Sequence, residues 1–313
     1  MVLCRYLPIA VTLALAACVT VTAPEVSPIP EPRSEAAPNT TASPPSELSQ
    51  ALARYYRSSE ARLVGRGMLR TDGGGPDTPF TADELAANFE RIALYDEYEL
   101  VNGRFVARQS PSTLRRWTAP VRLQPHFGAS VEAGRQAEDR AILGTYAARL
   151  TRLTGHSVRA VNSGGNYHVL FMNADALSDS APLLRQLVPS INDATIREIQ
   201  DMGRLTYCSI FAFSLTGTSE YIAAIAVIRD EHPDLLRRSC VHEEIAQGMG
   251  LPNDSRTARP TIFNDDEEFA LLTRHDELLL RILYDDRLSI GMTPDQARPI
   301  VRQIARELVG GPS

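Results

Sequence analysis

An apolar run from Leu7 to Ala17, with Arg5 the sole charge before it, ends in Leu15-Ala16-Ala17-Cys18 and decides how much of this chain can fold together. The run is too short to cross a bilayer as a permanent helix, and small residues before a cysteine are what a lipoprotein signal peptidase requires. The reading is therefore a signal peptide over 1–17 and a lipid on Cys18, which anchors the chain to a membrane without spanning it. An ordinary secretory signal that happens to end beside a cysteine is the alternative. Val19 stands where some bacteria place an inner-membrane retention aspartate. That favours the outer membrane, with the folded part facing the periplasm in the cell envelope.

Export also constrains the fold. The chain has four cysteines. Cys4 leaves with the signal and Cys18 takes the lipid, so Cys208 and Cys240 remain. In an oxidising compartment such a pair is expected as a disulfide. Closing that loop stabilises a fold by roughly 3–4 kcal/mol in the chain-entropy model. Neither cysteine has metal-ligand spacing.

Residues 18–45 read as a disordered tether, since Pro24, Pro28, Pro30, Pro32, Pro38, Pro44 and Pro45 fall among Ser, Thr, Ala and Glu with little to bury. The net charge is −6, the basic residues are all arginine, and they form no stripe interleaved with aromatics. Nucleic acid is accordingly not an expected partner. The lipid membrane is one, through Cys18.

Ser46 can cap a helix running to about Arg62, and a second helix is expected from Thr81, with Ala82, Leu85, Phe89 and Ile92 at helical spacing. Phe105 and Val106 suggest a strand after the Asn102-Gly103 turn. Residues 46–112 thus form a small, mostly helical accessory segment. From 113 to 313 the pattern is that of an α+β domain with a mixed sheet and long helices. Trp117–Leu123 reads as a strand that Pro120 places at a sheet edge. A long helix follows from Ala133 to about Leu153, then a strand over 167–173 and helical segments near 181–188 and 192–201. Strands over 207–213 and 221–228, the second nearly continuous in Ala, Ile and Val, precede a helix from about Pro233 to Met249 that Gly250 stops.

That last helix carries the most informative stretch, Cys240-Val-His-Glu-Glu-Ile-Ala-Gln-Gly-Met-Gly-Leu-Pro-Asn-Asp254. In the register of His242-Glu243, a zincin helix would need histidine where Ala246 stands. Shifted by one residue, the segment matches the spacing of the extended metzincin signature, His-Glu-x-x-His-x-x-Gly-x-x-His. Glu244 stands at the glutamate and Gly250 at the turn glycine, while Glu243, Gln247 and Asn253 occupy the three histidine positions. About ten residues later, Thr261-Ile-Phe263-Asn resembles the Met-turn with Phe263 at the methionine position. The segment from Leu272 to Tyr284 resembles the closing helix of matrixin-like peptidases. The chain as a whole resembles a bacterial lipoprotein family with domain of unknown function 2927 over roughly residues 48–309. Across 116–284 it resembles a degenerate metzincin, a zincin-like domain that has lost its zinc ligands.

The resemblance implies that Glu243, Gln247 and Asn253 converge in a cleft, with Glu244 and His242 beside them, Gly250 turning the chain and Phe263 packed beneath. It implies no cofactor, because glutamate, glutamine and asparagine supply oxygens that hold zinc poorly. A catalytically silent domain binding a peptide, a protein or a cell-wall ligand follows. The alternative is an active envelope hydrolase with Glu244 as general base, into whose cleft the fold carries His242 or His275. The simplest reading is that Glu243, Glu244 and Gln247 are only the solvated face of an amphipathic helix. His126, His156, His168, His232 and His275 are scattered and read as surface or packed residues. Asp265-Asp266-Glu267-Glu268 reads as a solvated helix start.

Overall fold

The structure is a computed structural model and describes residues 44–310 apart from 102–103 and 265. The signal, Cys18, nearly all of the tether and the Asn102-Gly103 turn lie outside the described residues.

Two locally encoded helices come first. Ser46 accepts the Ser49 N–H at the start of α1 (Glu47–Gly65), and Thr81 forms a reciprocal capping box with Glu84 at the start of α2 (Ala82–Ala93). A hairpin follows, β1 (Tyr95–Val101) antiparallel to β2 (Arg104–Pro111).

The main sheet begins at β3 (Val121–Phe127), later than the expected 117–123 and in the interior of the sheet. Pro120 precedes the strand, and the proline inside it is Pro125. That residue is tolerated because the neighbour β4 (Val158–Ala160) pairs only with 121–123, leaving no ladder partner on that side for the missing N–H. Between them runs α3 (Ala133–Thr154), which Gly155 ends in the left-handed conformation. Then come β5 (Tyr167–Met172), the short helices α4 (Ala174–Ser178), α5 (Ala181–Leu187) and α6 (Asp193–Gln200), and the strands β6 (Cys208–Ser214) and β7 (Tyr221–Arg229). The chain closes with α7 (Asp234–Gln247), α8 (Arg274–Leu283) and α9 (Pro294–Val309).

The sheet order is β4-β3-β5-β7-β6. β3, β4, β5 and β7 are parallel, and β6 alone runs antiparallel at the edge. Both faces of the central strands are covered. Tyr167, Val169, Phe171, Ala224, Ala226 and Ile228 join the large core that includes α3, α7 and α8, while Leu170, Met172, Ile225 and Val227 pack with residues of α4–α6. This two-sided burial is why β7 reads as an almost unbroken apolar run. The result is a mixed α+β architecture.

The N-terminal helices share that packing. Leu85, Phe89 and Ile92 of α2 lie in the large core, and Leu52 and Tyr56 of α1 pack with Leu236 of α7. The described residues fall in one compact unit. The acidic run does not begin a helix as expected. Its described residues lie in a loop, with Glu267 at φ +60°, and Glu268 accepts from Arg70 and Arg259. The loop is held instead by backbone bonds from Leu69 and Arg70 to the carbonyls of Glu267 and Glu268.

Candidate functional site

Helix α7 is positioned along its whole length by other elements. Pro233 at its N-cap offers no side-chain cap, and the Glu60 carboxylate of α1 instead accepts the N–H groups of Leu235 and Leu236 at 3.0 and 2.9 Å. A carboxylate there satisfies first-turn donors and complements the helix dipole. At the next residue, Arg237 makes a two-pronged contact to Asp139 of α3, at 2.9 and 2.7 Å, with both side chains buried. Cys240 is joined to Cys208 as expected, with Cα atoms 5.8 Å apart, and this ties α7 to the edge strand β6.

The C-terminal end of α7 is buried, so its carbonyls need donors. Three aromatic side chains supply them. Tyr167 donates to the Glu244 carbonyl at 2.6 Å, Trp117 to that of Gly248 at 2.8 Å, and Tyr284 to that of Met249 at 3.0 Å. The two glycines here are both required. A Cβ on Gly248 would sit 2.1 Å from the Tyr167 hydroxyl, and Gly250, at φ +129°, would place one 2.3 Å from the Arg115 carbonyl oxygen.

The polar residues on α7 are not a solvated face. Glu244 and Gln247 are buried and Glu243 is half-buried. Gln247 donates to Asp254 Oδ1 at 3.0 Å. Asn253 turns elsewhere, donating its amide to the Arg91 carbonyl at 2.8 Å at the end of α2, while its backbone N–H bonds the Ile92 carbonyl. The residue that meets Gln247 after the turn is thus Asp254. Glu244 is only 4 % exposed, and its Oε2 atom is buried without a hydrogen-bond partner. Burial first, and the Asp254 charge second, push its carboxyl well above the usual carboxylate range. A ligand atom from each of Cys208, Glu243 and Glu244 lies within 4.8 Å of the other two.

His242 points away from this group. Its ring stacks on Tyr146 at 4.2 Å, and its Nδ1 accepts the Leu272 N–H at 3.1 Å. Burial, helped by Arg149 and Arg238, lowers its pKa to about 3, so it serves as a neutral acceptor. His275 is fully buried, with Nε2 3.1 Å from the Asn88 amide nitrogen and its ring edge-on to Phe80. Phe263 is enclosed in the large core, and its carbonyl accepts the Ser255 N–H at 2.8 Å. The turn that carries it is fastened to α8, since Asp276 accepts from the Thr261 hydroxyl and the Ile262 N–H.

Sequence reading missed Asp254, the three aromatic donors and Glu60. None had a local signal, because each reaches α7 from another turn, helix or strand. The three positions of the zinc imidazoles in the metzincin signature supply no imidazole and no thiolate, and two of their amides are already engaged. This donor set does not fit zinc. Among the described residues, no helix is long and apolar enough to cross a membrane.

A family model described as a protein of unknown function, DUF2927, matches residues 82–303. No curated protein and no solved structure matches the chain.

Proposed function

This chain belongs to the DUF2927 family, whose description names no activity, and from its own residues we propose that it is a cell-envelope lipoprotein with a catalytically silent, metzincin-like domain that binds an extended peptide along β6. The observation that carries the reading is the edge itself. β6 ends the sheet, and the exposed large apolar residues Leu205 and Leu215 flank it, with Ile222 on the paired strand. An edge strand offers unpaired main-chain groups to an extended chain, and nearby apolar side chains give it something to bury.

The order of elements supports the metzincin-like scaffold. Strand β3, the long helix α3, further strands, α7, the glycine turn, the buried turn at 261–263 and the closing α8 follow one another as the resemblance requires. Silence is favoured over hydrolysis because the donor positions lack imidazole, and without a bound zinc Glu244 has no activated water to deprotonate. The anchor rests on Cys18 and its flanking small residues.

Selection of displayed random decapeptides on the full chain is expected to return linear sequences that protect β6 amides from hydrogen exchange. Protection confined to another surface would remove β6 as the site. Turnover of a quenched fluorescent peptide library that disappears in Glu244→Gln would establish the hydrolase instead. Cys18→Ala is expected to release the chain from membranes or leave it uncleaved, and its fractionation as a mature lipoprotein would end the anchor reading.

A further inference from the structure

We infer that the Cys208–Cys240 disulfide masks a metal site, and that its reduction lets Cys208, Glu243 and Glu244 bind a zinc ion. The inference goes beyond peptide binding and does not depend on it. It also differs from the ligand set that the metzincin resemblance implies, since it uses neither Gln247 nor Asn253 and draws one ligand from the edge strand.

Geometry carries the argument. One ligand atom from each of the three residues already falls within 4.8 Å of the other two. A tetrahedral zinc held by one sulfur and two oxygens spaces such atoms by about 3.3–3.8 Å. Rotation of side chains by about an ångström therefore closes the site. A second observation points to a ligand. The buried Glu244 has one oxygen with no partner, and a carboxyl in that state is stabilised by a cation or a proton. The thiolate selects zinc over calcium or magnesium, which take all-oxygen shells.

The oxidised chain withholds the third ligand, because a disulfide sulfur is a poor donor. A cellular dithiol would supply the two electrons. It exchanges with the disulfide, is itself oxidised to a disulfide, and leaves Cys208 and Cys240 as thiols. Zinc then displaces the proton of the Cys208 thiol, together with the proton that the Glu244 carboxyl holds when protonated, and both pass to solvent. Cys240, buried and with its sulfur 3.7 Å from His232 Nδ1, stays in the core as a thiol. The backbone does not need the disulfide to keep Cys208 in place. β6 is paired with β7 from Cys208↔Ile228 onward, and α7 is fixed independently by Asp139 and Glu60.

Two variants separate the ligand from the cross-link, since both lose the disulfide and only one keeps Cys208. In the full chain with Cys4→Ser and Cys18→Ser, Cys240→Ser is expected to bind one equivalent of cobalt(II) with a thiolate charge-transfer band. Zinc should displace that cobalt. Cys208→Ser is expected to bind none, and adding Glu244→Gln to Cys240→Ser should weaken binding at least tenfold. The chain with both Cys208 and Cys240 should bind cobalt(II) only after reduction with a phosphine. Equal binding by the two variants, or no binding by a folded Cys240→Ser chain, overturns the inference. If neither variant folds, the phosphine-reduced chain with both cysteines decides. A charge-transfer band at one equivalent supports the site, and its absence rejects it.

Discussion

The two halves of α7 treat buried charge in opposite ways. Toward the N-terminus, Arg237 and Asp139 satisfy each other in a two-pronged contact, and Arg237 also donates to Asp230 at 3.2 Å. Toward the C-terminus, Glu244 is buried just as deeply, yet one of its oxygens has no partner and a second carboxylate, Asp254, raises the cost of its charge. A closed network of the first kind holds helices together. A buried acid of the second kind is retained at a cost in stability, and such groups concentrate where something is bound or transformed. The contrast leaves the C-terminal half as the end of the helix that holds a buried acid with an unsatisfied oxygen.

The largest test of that contrast falls on the closed half. Asp139→Ala leaves Arg237 buried with only the partly exposed Asp230 as a charged partner. Breaking one side of a buried pair costs about 3–5 kcal/mol. Urea unfolding should show a loss of this size at neutral pH. A loss below about 1 kcal/mol would mean the pair is not the brace described here.

A smaller effect is expected at the middle of the helix. The folded chain holds His242 neutral down to about pH 3, whereas the unfolded chain protonates it below its ordinary 6.5. The unfolded state therefore binds more protons as the pH falls, and stability is lost below 6.5. For this residue alone the loss is about 2 kcal/mol by pH 5. The buried His232 adds to the same trend, since its pKa also lies well below the ordinary value. The variant His242→Gln, which can still accept from Leu272, should flatten that part of the acid limb. An unchanged limb would mean that His242 titrates normally in the folded chain.

How far these features were legible in the sequence depended on how local their causes are. Ser46 and Thr81 marked α1 and α2 because a cap acts within its own turn. The apolar run 221–228 marked β7, and the cysteine count marked the cross-link. The boundaries of β3 were misread because Pro120 drew attention while Pro125 is permitted only by the early end of β4, a fact of tertiary pairing. The acidic run misled for a similar reason, since the backbone N–H groups of Leu69 and Arg70, some 200 residues earlier, bond the carbonyls of Glu267 and Glu268. At the candidate site, the spacing pointed to Glu243, Glu244, Gln247 and Gly250. That Asp254 rather than Asn253 meets Gln247 depends on the Arg91 carbonyl at the end of α2. No motif spanning 243–253 contains that information.

The smallest effect at acidic pH, and the sharpest test of the open half, is Glu244→Gln. Burial and Asp254 raise the folded pKa of Glu244 above the unfolded value, so the folded chain keeps a proton that the unfolded chain has released. Stability from this group is fully present below the unfolded pKa and is lost as the pH rises through the folded one. Glutamine resembles the protonated acid in shape and charge but does not titrate. The variant should match the unmodified chain near pH 4 and become the more stable of the two as the pH rises. Chemical unfolding of both chains between pH 4 and 8 measures the difference. A gap that stays constant across that range would show that Glu244 ionises at its ordinary pH, and α7 would then have no open half to contrast with its closed one.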